Sequence, residues 1–558
     1  VFQNFRLAMA WLHTWFGLVL GFVLMVVFFF GALSVFDREI DRWAIPATRF
    51  EPQPMPSFDK VLRPVFEGMQ PTPQSLKALR DKVDGPLPER FDTARRWAAY
   101  TTHRDPVLSV FTAYEVPNAR NPDDVARGNL TIDPRTGESL PDDRLKVGSR
   151  FFYPLHYSLH LRWLNLGYWV VGLAALVMLA ALVSGVVMHR KVFREFFTFR
   201  PRKSTQRSAL DLHNMTGVLA LPFHFFFALT GLVIFAGIYF PVAHTQLNPL
   251  HELHEKLEAQ ETGLPHERAG VAAPLASVDA MMAEAQRRWA NRGMAGEVGF
   301  LALQHVGDAN GYVSVYRAGT DRIALVGEGI HFKASTGELL REDPPHSPVA
   351  SVNEFLTGLH LQHFRHWLLR GLYLFGGLMG CVCIATGFVF FVEKRKKQHA
   401  RQGSQGSRVV DALAVTTVTG MLIAALGMLI GNRLLPDTMP AGWPPRGDME
   451  QHLFWGCWVL AMAHAFVRSA PVARGLINPA WREQCWAVAA MAVLAVGLNW
   501  ATTGDHLAKT IANGYWPVAG VDVFLLLSAV LAVVAARRLK ARTEPVAHTN
   551  RQTGVAHV

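Results

Sequence analysis

The sequence predicts a polytopic α-helical membrane protein. Eight transmembrane helices are expected: a tandem-duplicated four-helix core carrying two small external α+β domains, then a C-terminal extension of four more helices. Three observations carry this. Only 18% of the 558 residues are charged and half are hydrophobic, whereas soluble chains usually carry about 25% charge. Eight apolar runs are each long enough for a bilayer core of roughly 30 Å, which takes about 20 helical residues to cross. The first 395 residues also repeat themselves at a distance of two hundred.

The elements follow in order. The first span falls within 1–36; it is too long for a signal-peptide core and has no small-residue cleavage site, so it reads as a retained anchor. An external segment occupies 37–155, the second span 156–192, a basic loop 193–212 and the third span 213–240. A second external segment runs over 241–355, the fourth span lies in 356–395, and a linker at 396–410 leads to four further spans in 411–536 and a tail at 537–558. Basic residues mark alternate connections: Arg190, Lys191 and Arg194 after the second span, Lys394 to Lys397 after the fourth, and Arg537 and Arg538 after the eighth. The positive-inside rule puts these, and both termini, on the cytoplasmic side of the membrane. The net charge of +11 is thus accounted for by topology, and no nucleic-acid partner is expected.

The external segments alternate apolar and polar residues in "VLSVFTAYEV", "GNLTIDPRTGESL", "GYVSVYRAG" and "IALVGEGIHFKASTGELL", which predicts strands with Gly-containing turns. "SVDAMMAEAQRRWA" has helical spacing, and 50–90 is Pro-rich and irregular. No Ser-His-Asp constellation and no nucleotide-binding glycine loop stands out. The four cysteines, Cys381, Cys383, Cys457 and Cys485, lie in or beside apolar spans, so no external disulfide framework is implied. The absence of a Cys-x-x-Cys-His motif excludes covalent c-type haem.

The repeat sets the expectations for chemistry. "LHTWFG" at 12–17 falls on "LHNMTG" at 212–217, which pairs His13 with His213 and Gly17 with Gly217. Gly31 falls on Gly231, "SLHL" on "GLHL" pairs His160 with His360, and with a two-residue shift Ser184-Gly185 meets Thr386-Gly387. Thr136-Gly137-Glu138 likewise meets Thr336-Gly337-Glu338. Both copies start and end on one side, so they are parallel repeats with a pseudo-two-fold axis along the membrane normal. Equivalent residues then share a depth: His13 and His213 toward the cytoplasm, His160 and His360 toward the periplasm. Two imidazoles facing each other inside a bundle suit the axial positions of haem iron, and Gly17 and Gly217, one turn on, leave room for a flat macrocycle. Two haems are expected in the duplicated core. His156, His189, His224 and His363 are alternate ligands; His224 faces Leu24 in the repeat and is the weaker candidate. No catalytic residue beyond these is identifiable.

These motifs, with "SGVVMHRK" at 184–191 and the strands ending in Thr-Gly-Glu, together resemble the PepSY-associated transmembrane family over about residues 1–395. The family includes iron-regulated inner-membrane proteins and di-haem ferric-siderophore reductases. The resemblance implies a bacterial inner-membrane protein with b-type haem, and electron delivery to a ferric siderophore or other ferric chelate in the periplasm for iron uptake. A cytoplasmic reductase or membrane quinol would be the donor. One electron would enter at the cytoplasmic pair and leave at the periplasmic pair. Three other readings stay open: a quinol-linked cytochrome b with another acceptor, a haem-free sensor and a transporter. Residues 411–536 exceed the minimal four-helix pattern and have no derivable role.

Overall fold

The computed structural model describes residues 4–101, 104–121, 124–140, 146–188, 199–200, 203–239, 263–319, 321–324, 329–344 and 347–543. Among them, six helices are long and apolar enough to cross a membrane: Trp163–Met188, Trp367–Arg401, Gly406–Leu434, Arg446–Arg474, Ala480–Thr503 and Trp516–Leu539. Two broken pairs bring the number to eight if each is one span: Phe5–Val19 with Gly21–Ser34, bent by 63°, and Thr205–Leu219 with Leu221–Ile234. The protein is a multi-pass membrane protein. The breaks fall at Leu20 and Ala220, two hundred residues apart. Glycine at 21 weakens the first helix there. Pro222 has no N–H to return to the preceding turn of the second.

The chain divides into two compact units, residues 1–29, 183–220 and 378–558 in one, 30–182 and 221–377 in the other. In the first, the C-terminal helices pack through small residues. Ala492 and Ala495 of Ala480–Thr503 are fully buried, as is Ala536 of Trp516–Thr543. Small side chains let helix backbones approach closely where lipid offers no hydrophobic drive. Asn499 Nδ2 donates to Asp522 Oδ2 at 3.2 Å between the same two helices. The span Gly406–Leu434 is the most buried and contains a π-helical turn at Thr416–Gly420.

In the second unit, seven strands form one antiparallel sheet among the described residues: β1 Ala94–Tyr100, β2 Leu108–Tyr114, β3 Ala126–Ile132, β4 Val298–Gln304, β5 Tyr312–Arg317, β6 Gly329–Lys333 and β7 Leu339–Glu342. Their order is β3-β2-β1-β4-β5-β6-β7. The sequence leads one to expect a separate small domain in each external segment. Instead β1 pairs with β4, and Ala98 stands opposite Ala302. These two occupy equivalent places in the repeated strands, so the pseudo-two-fold passes between them. Each half would otherwise expose a strand edge, and pairing edge to edge satisfies both sets of backbone groups. One face of the sheet carries Trp97, Leu301, Leu303, Val313, Val315, Ile330 and Phe332 into a core closed by Met281, Ala285 and Trp289 of helix Val278–Asn291 and by Phe58, Leu62 and Phe66.

The Thr-Gly-Glu turns are also duplicated. Gly137 and Gly337 have φ of 79° and 76°, and their N–H groups donate to Asp133 O and Lys333 O, both at 2.8 Å. An L side chain in this left-handed region costs roughly 1–2 kcal/mol. Gly337→Val is therefore expected to lower the thermal midpoint followed by circular dichroism, while Gly337→Asn, which tolerates this conformation, retains most of it.

Candidate functional site

Four histidines gather into two pairs, one in each unit. His13 and His213 meet with ring centroids 6.0 Å apart and planes at 85°. Their surroundings obey the repeat. A Cβ at Gly185 would lie 3.3 Å from His13 Cε1, and one at Gly387 would lie 3.4 Å from His213 Cε1. His13 Nδ1 is 3.3 Å from Ser184 Oγ. His213 Nδ1 is 2.7 Å from the carbonyl oxygen of Cys383. A carbonyl only accepts, so His213 carries its proton on Nδ1 and presents the lone pair on Nε2.

The second pair corrects the expected register. His360 stands beside His156, not His160, with centroids 5.9 Å apart and planes at 26°. His160 instead stacks on Phe151 at 4.7 Å, with Nε2 3.0 Å from Phe151 O. The reason is local. The first-copy helix Tyr153–Ser158 stops before His160, and Leu159 and His160 adopt φ of 50° and 56°. In the second copy, helix Pro348–Leu361 continues through His360. His156 is still helical and takes the place that the two-hundred-residue spacing assigns to His160.

Glycines again back the rings. A Cβ at Gly31 would come 2.6 Å from His156 Nδ1, and one at Gly231 would come 3.1 Å from His360 Cε1. Thr230 Oγ1 donates to Phe226 O and lies 2.8 Å from His360 Nδ1. With its proton spent, the Thr230 oxygen accepts from Nδ1–H, leaving the Nε2 lone pair of His360 as the ligating one. A Cβ would meet nothing within 4 Å at Gly17 and only Cys383 Sγ, at 3.5 Å, at Gly217.

The arrangement fits a metal that brings its own equatorial ligands. Metal–imidazole bonds are about 2 Å long, so two opposed imidazoles on one ion have centroids about 6 Å apart. Both pairs match that separation. Among the described residues, no group of three or more His, Cys, Asp or Glu could hold a bare ion. A haem needs only two axial ligands from the protein.

The remaining candidates separate. His224 is fully buried, with Nε2 3.2 Å from Gly376 O. His363 sits in the loop between Leu361 and Trp367. His366 accepts from Leu369 N–H at 3.2 Å and so caps the fourth span. His189 lies outside the described residues. Folding also assembles a Ser-His-Asp array that the sequence hides. Ser314 Oγ is 2.8 Å from His331 Nδ1, whose Nε2 is 3.1 Å from Asp343 Oδ1. Ser314 and His331 are cross-strand partners and both 4% exposed, so the array ties β5 to β6 within the sheet.

Comparison with known proteins agrees with the extent of the duplicated core. A family profile described as the PepSY-associated TM region matches residues 10–394. An uncharacterized protein of Pseudomonas aeruginosa is 28% identical over 415 residues, covering 70% of this chain and 94% of that relative.

Proposed function

The chain belongs to the PepSY-associated TM family, and from that premise we propose that it is a haem oxidoreductase of the bacterial inner membrane that reduces ferric siderophores or other ferric chelates in the periplasm. The observation that carries this is the pair of imidazole sites at 6.0 and 5.9 Å, each backed by glycines. His13 and His213 would hold one b-type haem, and His156 and His360 the other. Haem so held supplies reversible one-electron transfer.

The chain's own residues prepare these sites. The Cys383 carbonyl and the Thr230 hydroxyl set the tautomers of His213 and His360. The glycines let the rings lie against backbone, and the apolar spans exclude water. Oxygen-rich chelators hold Fe(III) far better than Fe(II), so adding one electron to the bound iron releases it as Fe(II). Both termini would lie in the cytoplasm, where a separate reductase or membrane quinol supplies the electron.

The test is the visible spectrum of detergent-purified protein, oxidised and dithionite-reduced, with a pyridine haemochrome count. A b-type spectrum with two haems per chain is expected, reoxidised by an added ferric siderophore. A colourless protein that cannot be reconstituted with haem overturns the reading in favour of a sensor or transporter.

A further inference from the structure

The sheet face opposite the core holds a groove of about 580 Å³, within the range of small-molecule sites. Its floor is one transverse row of residues in register across five strands. Arg127 on β3 faces Ala113 on β2, Ala113 faces Arg96 on β1, Arg96 faces Gln304 on β4, and Gln304 faces Tyr312 on β5. Adjacent strands lie about 4.8 Å apart, so Arg127 and Arg96 stand about 10 Å apart with only a methyl group between them. Arg95 and His266 also line the groove, and among the described residues no Asp or Glu does. Among those residues, no carboxylate forms an ion pair with Arg96 or Arg127.

Two features mark the groove as built for a ligand. Arg96 lies over the adjoining rings of Phe111 and Phe300, at 5.9 and 5.7 Å, and its buried Nε has no hydrogen-bond partner. His305, in the groove wall, is 7% exposed, has a φ of 49°, and keeps Nδ1 buried without a hydrogen bond. Left-handed backbone at a non-glycine residue and orphaned buried polar atoms each cost free energy and concentrate at functional sites. Burial first, then the charges of Arg268 and Arg95, push His305 down toward its neutral form, against the opposing pull of a backbone hydrogen bond to Pro265 and of Asp308.

We propose that this groove binds a small polycarboxylate, with one carboxylate on Arg96, a second on Arg127 and the connecting carbons over Ala113. Guanidinium groups pair with carboxylates through parallel hydrogen bonds. Two guanidinium side chains rising from backbone positions about 10 Å apart suit two separated anionic groups, which inorganic phosphate does not have. The inference does not depend on haem.

The test is isothermal titration of the detergent-purified full chain with citrate as the probe. Saturable binding at one site per chain is expected. Arg127→Gln removes one charged hydrogen-bonding partner and should weaken citrate binding at least tenfold. Arg127 is exposed on the edge strand, so this variant tests the site without disturbing the core. Ala113→Leu, which fills the hollow between the arginines, should weaken it similarly, and inorganic phosphate should not compete. Absence of saturable heat at roughly 1 mM citrate, the weak end of specific binding, overturns the proposal. So does unchanged affinity in Arg127→Gln, or displacement of citrate by equimolar phosphate. Heat is read without reductant or turnover, so failure here leaves the haem reading untouched.

Discussion

His156→Ala and His360→Ala are each expected to lower the haem count from two per chain to one, while His160→Ala keeps both. The geometry makes these outcomes differ. His360 lies 5.9 Å from His156, whereas the His160 ring is engaged with Phe151. His13→Ala and His213→Ala should likewise remove one haem and spare the other. Gly231→Leu adds a packing test, because a Cβ there already comes 3.1 Å from the His360 ring and a larger side chain must displace it. Haem-spectral titrations of these variants check the assignment. Full haem content in both His156→Ala and His360→Ala would refute the second pair, and loss in His160→Ala would restore the register read from sequence.

The other large effect is structural. Glu39→Leu should destabilise the protein by about 3–5 kcal/mol, the usual cost of orphaning a buried charge. Arg370 Nη2 reaches both Glu39 oxygens at 2.9 Å and Val35 O at 2.7 Å, with its guanidinium over the rings of Phe36 and Trp367 at 4.4 and 5.1 Å. Arg370 is 2% exposed and Glu39 7%. With Glu39 gone, the cation keeps its burial and loses its counter-charge. The double change Glu39→Leu with Arg370→Met should recover much of the loss, because apolar replacement of a whole buried pair is often neutral. Thermal unfolding of the purified protein in one detergent measures both. Equal destabilisation in the single and double variants would show that packing, not charge, holds this contact.

The spans, the repeat and the pairing of His13 with His213 were legible in the sequence. An apolar run of about 20 residues has essentially one solution in a bilayer, the helix, because every backbone group must be satisfied within it. A repeat in a parallel duplication puts equivalent residues at one depth, so the sequence alone matches His13 with His213. The helix Val278–Asn291 and strands β2, β3, β5 and β6 were visible as periodicity. Strands β1 and β4 were not, since "ARRWAAY" and "VGFLALQ" lack clean alternation and take their conformation from each other.

Tertiary structure alone decided three things. It exchanged His160 for His156, because one copy's helix ends before the repeated position while the other's runs through it. It chose Gly31, Gly231, Gly185 and Gly387 as the glycines against the rings, because helix packing sets which neighbouring backbone a side chain meets. It merged the external strands into one sheet and so set Gln304 and Tyr312 of the second copy in register with Arg127, Ala113 and Arg96 of the first. Depth and helicity follow from local hydrophobic pattern, which a sequence carries residue by residue. Neighbours across space follow from where helices stop and which strand edges meet, and those are settled only when the whole chain packs.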